Sequence, residues 1–277
     1  MKGLWLRRGG LSCLVLPQYG GMVGGVWLGE RPVLRLEEGL LGRREALAGG
    51  IPLLFPFAGR CAGERVLIDG THCPMPMHGF IRNMALSVLR QWPDGCRLGL
   101  EVDNWPPYRL ALTLDYHLEA GALVTSLRVR SLSPTALPMA LGFHPYFRVE
   151  DRAGAKLAVG LEAYWDHLVQ PPRRGVLTGP VDLTLDWDHV FQGQGVEATL
   201  ICPAEGYGVR LTGDSSFKVV TLCTTQPGAV CVEPWQAPPD PVASGRARWL
   251  VPGGEERFGY RIALGKPTNR AFLSAAF

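Results

Sequence analysis

Arg109-Leu-Ala-Leu-Thr-Leu-Asp-Tyr-His-Leu118, followed after the short link Glu119-Ala-Gly-Ala122 by Leu123-Val-Thr-Ser-Leu-Arg-Val-Arg130, decides the fold. In both runs apolar side chains alternate with polar or small ones, the period of two that a half-buried strand imposes. The link carries a glycine and reads as a turn, so the pair predicts a β-hairpin. Working outward, strand signals recur over residues 33–36, 85–91, 97–104, 157–161, 198–202, 209–213, 218–224, 229–233 and 258–264, with Gly and Pro between them. Many short strands at such spacing predict an all-β fold, a large antiparallel β-sandwich. Only residues 43–48 look briefly helical, which excludes alternating βαβ architecture. The uncharged run from Leu11 to Gly29 is broken by Pro17, Gln18 and several glycines, and reads as strand, turn, strand rather than a membrane span. Lys2, Arg7 and Arg8 ahead of the apolar residues 11–16 look like the start of a secretory signal, but the run is short and no small-residue cleavage site follows.

The bulk composition narrows the function. The 277 residues are 47% hydrophobic and 19% charged, enough apolar material for one core, and a single domain over residues 1–277 is expected. A net charge of +3 with both signs interspersed offers no footprint for nucleic acid or an anionic membrane, so the expected partner is a small molecule. Seven cysteines, an odd number without a C-x-x-C, indicate neither a disulfide framework nor a zinc ribbon. A reducing cytoplasm fits that inventory. His72, Cys73 and His78 lie close together, but their spacing matches no common ligand pattern, so no metal is expected. The Pro-rich stretches 170–180 and 234–241 read as long loops inside the domain, where function tends to lie.

Chemistry concentrates in two segments. Leu141-Gly142-Phe143-His144-Pro145-Tyr146-Phe147 and Val232-Glu233-Pro234-Trp235 each set one proton-transferring side chain among rigid Pro and aromatic neighbours. That is the composition expected where a ring-shaped polar substrate is held while protons move. Exchanging the two anomers of a reducing sugar needs a base for the C1 hydroxyl proton and an acid for the ring oxygen. A carboxylate is ionised near neutral pH and an imidazole titrates near roughly 6.5, which makes Glu233 the base and His144 the acid, with no cofactor required.

Further segments sharpen the reading. Gly50-Ile-Pro-Leu-Leu-Phe-Pro-Phe-Ala-Gly-Arg60, Met77-His78-Gly79-Phe80 and Asp188-His189-Val190-Phe191, in order with the two segments above, resemble the galactose mutarotase (aldose 1-epimerase) family. The resemblance implies a galactose mutarotase-like supersandwich with an open sugar cleft, His144 and Glu233 as acid/base pair, and Arg60, His78 and Asp188 holding the sugar. The I-P-x-L-F-P-x-x-G-R and H-G-F forms look like the less characterised bacterial branch, and Ser131 stands where the family commonly has Asn. Trp235, in a Pro-rich setting, offers an aromatic face for the apolar side of a sugar.

Each residue also has a plainer reading. His144 as a histidine bonded to backbone, Arg60 as an ordinary ion-pair partner, His78 as a turn stabiliser and Asp188 as an Asx-turn residue, with Asp186 as its rival, are the alternatives. The leading expectation is an isomerase acting on free aldoses. A hexose-phosphate mutarotase would need a further cation, for which Arg65, Arg82 and Arg148 are candidates. A glycoside hydrolase pairing Glu233 with Asp188, or a non-catalytic sugar-binding domain, are the other classes.

Overall fold

The computed structural model describes residues 2–43, 46–269 and 272. The deciding hairpin forms as Tyr108–Glu119 and Ala122–Ser131, in register from Leu110 opposite Ser131 to Glu119 opposite Ala122. Gly121 adopts φ 72° in the tight connection, a left-handed conformation that an L side chain resists. The hairpin lies inside an eight-stranded antiparallel sheet. Its order is Lys156–Val159, Glu197–Cys202, Tyr207–Gly213, Glu255–Gly265, Ala122–Ser131, Tyr108–Glu119, Gly95–Trp105 and Ser87–Trp92.

A second antiparallel sheet runs Arg173–Val176, Ala163–Asp166, Asp188–Gln192, Val219–Cys223, Ala229–Trp235, Gly142–Phe143 and Leu53–Leu54, with Tyr146–Arg148 also paired to Ala229–Trp235. One continuous core joins the two sheets. Leu112, Leu114 and Tyr116 from the first belong to the same cluster as Phe191, Val220, Leu222, Val230 and Val232 from the second. Phe143 of the second sheet meets Tyr260 of the first with ring centroids 4.4 Å apart. The run from Leu11 to Gly29 forms strands Leu11–Leu16 and Met22–Leu28 of a four-stranded sheet, whose Leu11, Cys13, Val15, Val23 and Val26 enter that core. The large antiparallel β-sandwich is therefore the observed architecture.

The 170–180 stretch is not loop throughout, because Arg173–Val176 pairs with Ala163–Asp166 at the edge of the second sheet. This edge strand is mostly exposed, so it carries no apolar period to announce it. The helical expectation over 43–48 falls partly on residues 44 and 45, outside the described residues, while Arg43 and residues 46–48 are not helical. Among the described residues no helix is long and apolar enough to cross a membrane.

Candidate active site

Strand alternation builds the site. On Ala229–Trp235 the side chains of Val230 and Val232 face the core, so Cys231, Glu233 and Trp235 share the other face. Neighbouring strands continue that face in three rows across the sheet. The first is Asp188, Cys223, Cys231 and Tyr146; the second is Val190, Thr221 and Glu233; the third is Gln192, Val219, Trp235 and Gly142. A Cβ on Gly142 would collide with the indole of Trp235, so glycine there lets the ring lie over the strand.

His144 lies between the short strands Gly142–Phe143 and Tyr146–Arg148, with its backbone N–H donating to the Pro52 carbonyl at 3.2 Å. Its ring stacks on Tyr146 at 4.4 Å and 5°. The result is a direct contact: His144 Nε2 is 3.3 Å from Glu233 Oε1, and 3.3 Å from the Tyr146 hydroxyl. Trp235 Nε1 donates to the other carboxyl oxygen, Oε2, at 3.1 Å. Glu233 is 1% exposed and His144 7% exposed, so the pair sits at the floor of its cavity rather than on the rim.

Burial dominates the electrostatics. It pushes the Glu233 carboxyl well above the ordinary carboxylate range, with the negative charges of Cys223 and Asp188 adding to the rise. It holds His144 well below the ordinary imidazole range, and His78 adds to that depression. A lone charge on either partner would be costly to bury, whereas one shared proton leaves the contacting pair neutral overall. The two therefore titrate as a unit.

His78 joins them from a different part of the chain. Its ring lies 5.5 Å from that of His144 and 6.1 Å from that of Trp235. The Gly59 backbone N–H donates to His78 Nδ1 at 3.1 Å, so Nδ1 is the acceptor and the neutral ring carries its proton on Nε2. Burial first, then the charges of Arg82 and Arg60, push its pKa down to about 3. His78 is thus a fixed neutral donor. The backbone holds it there at φ 65°, followed by Gly79 at φ 71°, where a Cβ would collide with the Phe55 carbonyl. Strain of this kind persists where the surroundings over-determine a functional placement.

His78, His144, Asp188, Glu233 and Trp235 all line one cavity of about 460 Å³. Asp186, the rival of Asp188, instead pairs with Arg152 and is mostly exposed. Arg60 does not line the cavity. Its guanidinium pairs with Glu64 at 2.8 Å and donates to Met77 Sδ at 3.4 Å, and only Met77 faces the cavity. Among the described residues the cation on the wall is Arg82, which donates to the Ala46 carbonyl at 3.0 Å. Of the other two cations considered at the sequence level, Arg148 pairs with Glu150 and Arg65 begins a strand away from the cavity. Tyr146, from the segment that bears His144, also lines it, as do Thr221 and Cys223, which escaped the sequence reading as site residues. Thr221 stands directly opposite Glu233 in the strand ladder, two residues before Cys223. Its Oγ1 is buried with no hydrogen-bond partner among the described residues.

Donor atoms of His144, Cys231 and Glu233 lie within 4.8 Å of one another, the one such grouping among the described residues. It does not fit a metal, because both Glu233 oxygens are already engaged, Oε1 with His144 and Oε2 with Trp235. His72, Cys73 and His78 form no such grouping.

The sequence profile of the aldose 1-epimerase family matches residues 5–262. Among curated proteins none matches the chain. The Slr1438 protein from Synechocystis sp. PCC 6803 superposes with a TM-score of 0.87 at 22% identity, covering 96% of each chain. A galactose mutarotase-like protein from Lactobacillus casei ATCC 334 gives 0.80 at 18% identity, over 95% of this chain and 100% of its own. The GalM/aldose epimerase homologue from C. elegans gives 0.77 at 14% identity, over 96% and 99%. At these identities the likeness is one of fold.

Proposed function

The chain belongs to the aldose 1-epimerase family, and on that premise we propose that it interconverts the α and β anomers of a free aldose by acid/base ring opening and closure. The observation that carries the reading is the 3.3 Å contact between His144 Nε2 and Glu233 Oε1 at the floor of a cavity that His78, Asp188 and Thr221 also line. Because the partners touch, the sugar lies against the exposed edge of the pair, presenting the two oxygens bound to its anomeric carbon. Glu233 as carboxylate takes the C1 hydroxyl proton while His144 gives its proton to the ring oxygen, and the ring opens to the aldehyde. Rotation about C1–C2 exposes the other carbonyl face, and the same groups run in reverse. One proton on the pair suffices, since it passes across the contact without exchange with solvent. Each transfer contributes about 10²–10⁴ in rate.

The other residues hold the sugar. His78 donates from Nε2, Asp188 and Thr221 bond hydroxyls, and Trp235 keeps the Glu233 carboxyl oriented while its edge contacts the ring. Arg60, paired with Glu64 behind Met77, does not reach the sugar, and among the described residues Arg82 is the cation that lines the cavity. Its position favours the phosphorylated-hexose variant as a second reading, because of the three cations weighed for a phosphate it alone lines the cavity. No cofactor enters either scheme. We further propose that residues 1–277 form one domain and, from the odd cysteine count without a C-x-x-C, that it works in a reducing cytoplasm.

Polarimetry on freshly dissolved α-anomers of free and phosphorylated aldoses tests the proposal. Accelerated mutarotation above the buffer rate supports it, and the better substrate decides the second reading. Release of sugar from a glycoside would point to hydrolysis. Binding without mutarotation would leave a sugar-binding domain.

A further inference from the structure

The first row of the site sheet contains a feature the isomerase scheme does not use. Cys223 and Cys231 stand directly opposite each other on antiparallel strands. Directly opposed residues have Cα atoms about 4.5–5.5 Å apart, inside the roughly 4.4–6.8 Å span of a disulfide. Bridging this pair needs no change of register. The two thiols differ in access: Cys223 is partly exposed and lines the cavity, whereas Cys231 is fully buried behind it, two residues from Glu233 on the same face.

We propose that Cys223 and Cys231 form a peroxide-reactive dithiol site in the wall of the sugar cavity, with Cys223 the attacked thiol and Cys231 the resolving one. The surroundings equip Cys223 for the first step. Its sulfur lies 3.2 Å from the Thr225 hydroxyl. Donation from the Cys231 thiol, then from the Thr225 side chain and backbone, pulls its pKa down to about 6 against the cost of burial. At neutral pH it is a thiolate, the nucleophilic form. The other cysteines are poor competitors. Burial pushes the Cys61, Cys96 and Cys202 thiols up to about 12, and raises Cys13, Cys73 and Cys231 as well.

The chemistry balances with a hydroperoxide as oxidant. The Cys223 thiolate attacks one peroxide oxygen, the O–O bond breaks, and hydroxide leaves with a proton from solvent as water, giving Cys223 sulfenic acid. Cys231 sulfur then attacks the Cys223 sulfur, its proton goes to the departing hydroxyl, and a second water leaves as the S–S bond forms. Two thiols and one hydrogen peroxide become one disulfide and two waters. Hydrogen peroxide is small and uncharged, so it enters a cavity built for a sugar. The product alters the neighbourhood of Glu233, because the Cys223 thiolate is among the charges that hold its pKa up. The proposal does not depend on which sugar, or whether any, is turned over.

The test is peptide mapping of the whole native protein after brief exposure to dilute hydrogen peroxide at pH 7, without reduction. The expected result is a linked peptide joining Cys223 to Cys231, formed at least about tenfold faster than oxidation at any other cysteine and reversed by dithiothreitol. Cys223→Ser removes the link and leaves Cys231 reduced. Cys231→Ser leaves Cys223 as a sulfenic acid that dimedone traps. If the Cys231→Ser chain fails to fold, the wild-type map and the Cys223→Ser map still decide. Oxidation of Cys223 no faster than of the other cysteines, or rapid oxidation of Cys223 without a link to Cys231, overturns the proposal. A saturating sugar that binds the cavity slows the linkage. A linkage rate unchanged by sugars that the protein demonstrably binds would place the pair outside the cavity and overturn it too.

Discussion

The outer faces of the two eight-stranded sheets use the same period of two to opposite ends. On the hairpin sheet the outward positions carry charged partners in water, such as Arg97 bonded twice to Asp115 at 2.7 and 3.0 Å, and Arg257 with Glu255 at 3.1 Å. On the site sheet the outward positions are covered by the loops that bear His78 and His144, so Thr221, Cys231 and Glu233 are polar groups at buried places. Water makes the first set cheap to hold and nearly interchangeable. Its exclusion from the second raises the Cys231 thiol and the Glu233 carboxyl above their ordinary ranges and makes each partner matter. Chemistry is expected where the fold covers an outer face, not where the charges are most numerous.

The largest expected effect is at the covered face. Glu233→Gln keeps the shape and the Trp235 contact but removes the base, and lowers kcat by about 10²-fold or more with a smaller change in sugar affinity. Wild-type turnover in that variant would break the contrast. The pH profile sharpens it. Wild-type kcat/KM should be bell-shaped with limbs that belong to the pair, because the partners touch. A second proton on the pair is opposed by burial, which moves the acid limb below the ordinary imidazole range; loss of the only proton is opposed by burial and by Cys223 and Asp188, which moves the alkaline limb above the ordinary carboxylate range. His144→Gln leaves Glu233 alone, so the remaining activity should rise with pH through one limb and not fall. A retained bell would assign the acid to another group.

His78 carries the same contrast into stability. Its pKa is lowered from 6.5 to about 3, mainly by burial, so between those values the unfolded chain binds a proton that the folded one refuses. The contribution is full above about pH 6.5 and is lost as pH falls toward 3, of order a few kcal/mol. His144 acts with the same sign. Glu233, raised instead, acts with the opposite one: its contribution is present below its unfolded value and lost as pH rises through its folded value. Denaturant titrations from pH 7 to pH 4 should therefore show a shallower loss in His78→Gln than in the wild type. Parallel slopes would mean that His78 is not held neutral.

A smaller effect separates orientation from chemistry. Trp235→Phe preserves the ring against Gly142 and removes only the indole N–H that Glu233 Oε2 accepts at 3.1 Å. One such bond to a charged acceptor is worth about 1.5–3 kcal/mol, an order of ten- to a hundred-fold in rate if it acts mainly in the transition state. Since that bond lowers the Glu233 pKa, its loss should also move the alkaline limb upward. A fall in kcat with no movement of the limb would make Trp235 a packing group alone.

The same contrast explains what the sequence discloses. The hairpin is readable because one face meets water, so Arg109 to Leu118 alternates cleanly. Ala229–Trp235 is buried on both faces, and its near-continuous apolar run hides which side chains share a face. Glu233 is readable all the same, as an isolated carboxylate in an apolar strand. His144 is readable from its Pro and aromatic frame. Thr221 and Cys223 are small residues in an ordinary buried strand, and only the ladder register aligns them with Glu233 and Cys231. The choice between Arg60 and Arg82 is invisible for another reason. Each is a long side chain near the same segment, and only the three-dimensional structure shows that Arg60 pairs with Glu64 while Arg82 lines the cavity.

The smallest expected effect lies on the water-facing sheet and is the control that gives the others meaning. Asp115→Asn removes the carboxylate from the best-formed ion pair on that face, bidentate to Arg97. In water such a pair is worth about 0–1 kcal/mol, since both groups regain hydration when separated and salt screens what remains. The denaturation midpoint should shift by no more than that allows, mutarotation should be unchanged, and added salt should narrow the gap between variant and wild type. A loss of several kcal/mol would mean that this outer face is covered in solution, and the two sheets would then differ in chemistry but not in exposure. A loss of activity would be more damaging, because it would couple the hairpin sheet to the cavity through the core around Phe143 and Tyr260, and the site could no longer be treated as the property of one sheet face.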